Sequence, residues 1–179
     1  MFSKVQDGVR SVGREEGSTA FQLLLPGAPP SPRTRPAVRI ITRLSAWFFG
    51  VPCRDVYTSL VTQIKTWKTA AGCAHGGEKC LYQLESANVH FIKAKHTTPV
   101  KRYVDDLSFR LVPYQLNAHC HVSALSVSEA WYTVIDYGTN YCNLFNLVEG
   151  SGLTSVSDYK EVTNDFICTQ HSTANCSIY

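Results

Sequence analysis

Apolar residues repeat with helical spacing just after the first cysteine. Within residues 54–69 they recur at intervals of three and four, which predicts one face of an amphipathic helix: Val56, Tyr57, Leu60, Val61, Ile64 and Trp67. Ala71-Gly72 follows, and glycine readily takes the left-handed conformation that caps helices. A β-hairpin is the alternative for this stretch, because several of these residues are β-branched.

After Cys80 the apolar period shortens to two, which is typical of strands. Leu84, Val89 and Phe91 alternate with polar neighbours, and residues 103–112 and 121–127 predict two further strands. Residues 131–137 and 141–148 flank a turn that contains Gly138, which predicts a hairpin. Short turns between strands imply an antiparallel sheet. The sequence therefore predicts an α+β fold, in which an N-terminal helix precedes an antiparallel β-meander of five or six strands, stabilised by disulfides.

The first part of the chain differs in composition from the rest. Six of the 8 prolines lie within residues 1–52, and the stretch 26–36 is too rich in them for a helix or a central strand. We therefore expect residues 1–44 to form a disordered segment rich in Pro and Arg, and residues 45–179 to form a single disulfide-containing globular domain.

The apolar run of residues 44–52 has three interpretations. The chain can come from an alternative start that replaced a normal signal segment, or the apolar run can pack on the domain. The third interpretation is that the Arg-containing stretch 17–48, which lacks acidic residues, is an organelle-targeting presequence. No run reaches the roughly 18 apolar residues that a membrane-spanning helix needs, so no membrane span is expected.

The charge is distributed unevenly between these parts. Residues 1–52 hold 7 Lys and Arg against 3 Asp and Glu, whereas residues 53–179 hold 10 against 11. The globular part is therefore close to neutral. Because phosphate binding needs a cluster of uncompensated cations, nucleic acid is not an expected partner.

All seven cysteines lie in the globular part, which is typical of an exported, oxidised protein: Cys53, Cys73, Cys80, Cys120, Cys142, Cys168 and Cys176. Asn175-Cys176-Ser177 is an acceptor pattern for N-glycosylation at Asn175 in the same compartment. We expect three disulfides and one odd cysteine.

The predicted strand order suggests the pairing of these cysteines. A Cys73–Cys80 bond would close the turn at Gly76-Gly77. A Cys120–Cys142 bond would join two strands, and a third bond would tie Cys53 to Cys168 or Cys176. With Cys176 bridged, glycosylation at Asn175 is expected to be inefficient.

Two motifs carry possible chemistry. His119-Cys120-His121 places two imidazoles on one side of a strand, where a third ligand such as His90, His96 or Glu129 could complete a zinc or copper site. A cysteine nucleophile beside a histidine would serve a hydrolase instead. The simpler interpretation is two half-exposed strand histidines, with Cys120 facing the other way. Asp105-Asp106 is likewise interpreted as a pair of solvated carboxylates.

Aromatic residues cluster late in the chain and are the candidate ligand-binding residues: Trp131, Tyr132, Tyr137, Tyr141 and Phe145. They could line a cavity, or they could pack the sheet on the helix. We therefore expect a secreted, non-enzymatic binding domain for a protein partner or a small apolar ligand, with no metal or other cofactor. A metal-dependent or cysteine-based hydrolase is the alternative.

Residues 131–146, with Val134-Ile135-Asp136-Tyr137, a turn and Tyr141, resemble the late strand pair of lipocalins. That resemblance implies a lipocalin-like partial barrel as the alternative fold. The order of a helix followed by a meander with late disulfides is equally similar to cystatins. The inhibitory Gln-x-Val-x-Gly hairpin of cystatins has no match here.

Overall fold

A computed structural model describes residues 43–129, 137–168 and 170–179 of the chain. They form a six-stranded antiparallel sheet in the order β2-β3-β4-β5-β1-β6, with two α-helices. The elements in chain order are β1 (Arg43–Phe49), α1 (Cys53–Thr66), β2 (Tyr82–Asn88), β3 (Phe91–Thr97), β4 (Val104–Tyr114), β5 (His119–Ser128), α2 (Thr139–Gly150) and β6 (Lys160–Val162). Three short 3-10 helices, Ala70–Cys73, Leu153–Ser155 and His171–Thr173, complete them.

The α+β class and the amphipathic helix are confirmed, but the helix is not the first element of the domain. Strand β1 precedes it and pairs with β5 on one side and β6 on the other. Trp47 and Phe49 of this strand are fully buried, so the apolar run packs within the domain. Alternation was hard to recognise in the sequence because Phe48, on the opposite face, is apolar as well.

The predicted hairpin of residues 131–148 is wrong in its second half. Residues 139–150 form helix α2, and the first half of the hairpin falls mainly on residues 130–136, outside the described part of the chain. Asn140, Asn143 and Asn146 recur every three residues and are nearly completely buried, so the helix is held by tertiary contacts. Its asparagines, tyrosine and threonine have weak helix propensity, which is why the sequence favoured strands there.

Both helices pack against the sheet and against each other. Helix α1 buries Val56, Leu60 and Ile64, one residue per turn, and α2 buries Leu144 and Leu147. The strands contribute alternate residues to the same core, including Ile92, Leu107, Phe109, Leu111 and Val122. Burial of each large side chain contributes about 1.5–3 kcal/mol. No helix in the described part of the chain has both the length and the apolar character needed to cross a membrane.

Three disulfides join the elements. The predicted Cys73–Cys80 bond is confirmed, whereas the predicted Cys120–Cys142 bond is wrong. Cys120 pairs with Cys53, because Phe49 lies opposite Cys120 in the sheet and α1 begins four residues later. The predicted bond from Cys53 to Cys168 or Cys176 is therefore also wrong. Cys142 on α2 pairs with Cys176 near the C-terminus, and Cys168 is buried outside these bonds.

Candidate functional site

A cavity of about 230 Å³ lies at one end of the sheet, where the loop between β3 and β4 meets the start of α2. We call it the Glu78 cavity. It is larger than the roughly 150 Å³ space that holds a benzene molecule in a protein core. Its walls combine carboxyl groups, tyrosine rings and hydroxyls: Glu78, Thr98, Val100, Lys101, Tyr103, Asp105, Ser128, Tyr137, Thr139, Asn140 and Tyr179.

Glu78 reaches this cavity from the loop that the Cys73–Cys80 disulfide closes. Its Oε2 atom is buried and has no hydrogen-bond partner in the described structure. Burial raises the pKa of the Glu78 carboxyl, the neighbouring Asp105 raises it further, and Lys101 lowers it. A buried carboxyl oxygen without a partner is costly, so a hydrogen-bond donor brought to the Glu78 carboxyl would be stabilising.

Asp105 forms a second acidic wall of the cavity. It lies on the inner face of β4 and is nearly completely buried, in contrast to the solvated pair expected from the sequence. Its Oδ2 atom accepts a hydrogen bond of 2.7 Å from Asn143 Nδ2. Asp106 points to the opposite face, where it pairs with Lys95 at 2.8 Å. Strand alternation thus separates the two carboxylates.

The asparagines of α2 hold the polar side of the cavity in place. Asn140 Oδ1 accepts a hydrogen bond from Ser126 Oγ at 2.5 Å, and its Nδ2 donates to Ser128 Oγ at 2.9 Å. These bonds fix the first turn of α2 against β5. The side chains of Ser126, Ser128 and Asn140 are short and hydrogen-bonded to one another, so this wall of the cavity is preorganised rather than adaptable.

His96 contacts the backbone of Glu78. The His96 ring is fully buried against Tyr82, with ring centroids 4.5 Å apart, and its Nε2 atom lies 2.9 Å from the Glu78 carbonyl oxygen. Because that oxygen can only accept, Nε2 carries the proton. Burial lowers the pKa of His96 to about 4, against the smaller opposing effect of its backbone hydrogen bonds. The ring is therefore neutral at physiological pH.

The loop between β3 and β4 forms the outer lip of the cavity. Thr98 and Tyr103 close the loop through two hydrogen bonds of 2.9 Å, from Thr98 N to Tyr103 O and from Tyr103 N to Thr98 Oγ1. At its tip Val100 is 89% exposed. The Lys101 ammonium lies 5.8 Å from the centre of the Tyr103 ring, within the range of a cation–π contact.

The structure separates the aromatic residues predicted to bind a ligand. Tyr137 lines the Glu78 cavity, whereas Tyr141 and Phe145 stack on each other beside a second hollow on the surface. Tyr141 also donates a hydrogen bond of 2.8 Å to Glu161. Trp131 and Tyr132 lie outside the described residues, in the stretch between Glu129 and Tyr137. Glu78, Asp105 and Asn140 were not recognised as site residues from the sequence.

The histidines of the predicted metal motif lie on the outer face of β5. His119 lies 3.6 Å from Asp158, and the His121 ring stacks on Phe48. Cys120 points inward to its disulfide with Cys53, as expected from strand alternation. Within the described residues, no group of three or more His, Cys, Asp or Glu side chains is placed to hold a metal ion.

No protein-family model matches the chain, and no curated protein sequence matches it. The Glu78 cavity is therefore the feature of the molecule from which its function is inferred.

Proposed function

We propose that this domain is an exported, non-enzymatic binding protein that holds a small molecule in the Glu78 cavity. The observation that carries the proposal is a cavity of ring-sized volume lined by Glu78, whose Oε2 atom is buried and has no hydrogen-bond partner in the described structure. Ligand sites combine apolar and aromatic walls with a few placed polar groups, and this cavity has both. The hydrogen-bonded asparagine wall preorganises the site, which reduces the entropic cost of binding.

The disulfides support the exported part of the proposal, because such bonds persist in oxidising compartments. Asn175 is exposed, but the adjacent Cys176 is bridged to Cys142, so we expect glycosylation at Asn175 to be inefficient. We expect six cysteines of protein collected unreduced from a eukaryotic culture medium to resist alkylation until a reductant is added. Mass spectrometry after differential alkylation measures this. Protein found only inside the cells, with all six cysteines alkylated at once, would contradict the proposal.

Removal of the Tyr137 ring tests the cavity. This side chain is 66% exposed, so Tyr137→Ala should leave the fold intact while it weakens binding of a bound ring by about tenfold. Small aromatic compounds of graded size, screened by thermal shift and then measured by calorimetry, supply the probes. Phe166→Ala is the matched control, because Phe166 is 95% exposed and does not line the cavity. Equal losses of affinity in both variants, or no binding of any compound to the native protein, would contradict the proposal.

A protein partner is the second candidate function, and one observation favours it. Leu44, Val112 and Val162 each expose about two fifths of their surface on the outer face of the sheet. Leu44 and Val162 lie on the adjacent strands β1 and β6, and Val112 lies opposite His121. Scattered exposed apolar residues are common on proteins, so this observation is weaker than a cavity with a buried, partnerless carboxyl oxygen.

A further inference from the structure

We infer that the ligand of the Glu78 cavity is an organic cation, with a positively charged amine attached to an apolar body about the size of one aromatic ring. The inference rests on the proposed function and specifies the chemical class of its ligand. It starts from Glu78, which lines the cavity and whose Oε2 atom is buried and accepts no hydrogen bond in the described structure. A carboxyl oxygen in that state is best satisfied by a charged donor.

The charges around the cavity favour the same class of ligand. Glu78 and Asp105 both line the cavity with acidic side chains. Burial is the larger cause of the raised pKa of Glu78, and the charge of Asp105 adds to it. Lys101 is the only described lining residue with a positively charged side chain, and its side chain is exposed at the rim. An ammonium group inside the cavity would relieve the repulsion that Lys101 only partly screens.

The aromatic walls also suit a cation. Tyr103, Tyr137 and Tyr179 all line the cavity, and the negative faces of such rings attract ammonium groups. The protein already shows this contact, since the Lys101 ammonium lies 5.8 Å from the centre of the Tyr103 ring. Lys101 therefore competes with a ligand cation for the same ring and for the charge of Glu78.

The test compares 2-phenylethylamine with its neutral counterpart 2-phenylethanol by calorimetry at pH 7.5. Native protein is expected to bind the amine at least about tenfold more tightly than the alcohol. Glu78→Gln keeps the shape of the side chain and removes its charge. It should abolish that preference while the affinity for the alcohol stays the same. Glu85→Gln, on an exposed position of β2, is the control and should leave the preference intact.

Removal of the Lys101 charge should raise the affinity for the amine, whereas Glu78→Gln should lower it. Lys101→Gln is expected to bind the amine about threefold more tightly, whereas Lys160→Gln, an exposed lysine of β6, should have no effect. Equal binding of amine and alcohol to native protein would overturn the inference while the small-molecule function survives. Failure of the amine to bind would overturn it as well, and the broader aromatic screen then decides the proposed function separately.

Discussion

Replacing Cys53 and Cys120 together with alanine is expected to lower the free energy of unfolding by about 4 kcal/mol. The bond joins residues 67 positions apart, so it removes much of the freedom of the unfolded chain. It also anchors the start of α1 to the start of β5 across β1. Alanine is the appropriate replacement because both cysteines are buried, and a serine hydroxyl there would add its own desolvation cost.

The other bonds give the matched comparison. The Cys73–Cys80 bond spans only 7 positions, so its removal should cost about 2 kcal/mol less than removal of Cys53–Cys120. Cys168→Ala, which changes a buried cysteine outside the three bonds, should cost about 1 kcal/mol through lost packing. Urea unfolding of the variants measures all three. A Cys73–Cys80 variant less stable than the Cys53–Cys120 variant would show that constraint of the unfolded chain is not the dominant effect.

Local sequence patterns were sufficient to predict much of the sheet and the first helix. The apolar spacing from Val56 to Ile64 predicted α1, and alternation around Leu107 and Val122 predicted β4 and β5. These elements bury one face and expose the other, so their period is visible in the sequence. Pairing between distant elements has no comparable signal, which is why the position of β1 beside β5 was missed.

The predictions for residues 139–150 and for the disulfide pairing were wrong for a related reason. Residues 139–150 include weak helix formers such as Asn and Thr, so the helix depends on tertiary contacts. Its asparagines bond to β4, β5 and the C-terminal residue, and Leu144 and Leu147 enter the core. The spacing of Asn140, Asn143 and Asn146 was the available signal. Cysteine pairing then followed the wrong hairpin, because connectivity cannot be deduced from spacing alone.

The cavity was only partly predictable. Asp105 alternates with the apolar residues Leu107, Phe109 and Leu111, a pattern that places it on the inner face of its strand. That signal was available in the sequence. Glu78 lies in a loop without any periodicity, so nothing local indicated that its Oε2 atom would be buried. Tyr137 was selected as one of a cluster of aromatic residues and does line the cavity, whereas Tyr141 and Phe145 of the same cluster lie beside the second hollow.

Acidification is expected to destabilise the domain through His96. The folded state holds the pKa of the His96 ring at about 4, below its ordinary value near 6.5. Between these pH values the unfolded chain binds a proton at His96 and the folded protein does not. Stability is therefore fully present above pH 6.5 and is lost progressively as the pH falls toward 4. The loss between pH 7.5 and pH 5 should be about 2 kcal/mol.

Other groups modify this profile, so the variant comparison is essential. The raised pKa of Glu78 acts in the opposite direction, because its folded form takes up a proton more readily than its unfolded form as the pH falls. The lowered pKa of Asp165 adds to the acid sensitivity. Both contributions are retained when only His96 is changed, so the difference between the two proteins isolates the imidazole.

His96→Gln supplies that comparison, because a glutamine amide can still donate to the Glu78 carbonyl oxygen but does not titrate. It should be less stable than native protein at pH 7.5, since the contact with Tyr82 is lost, and it should be less sensitive to acid by about 2 kcal/mol between pH 7.5 and pH 5. Urea unfolding at each pH measures both effects.

His90→Gln, at an exposed turn, should keep the native pH dependence. Identical pH profiles for native protein and His96→Gln would show that the buried imidazole does not control acid stability.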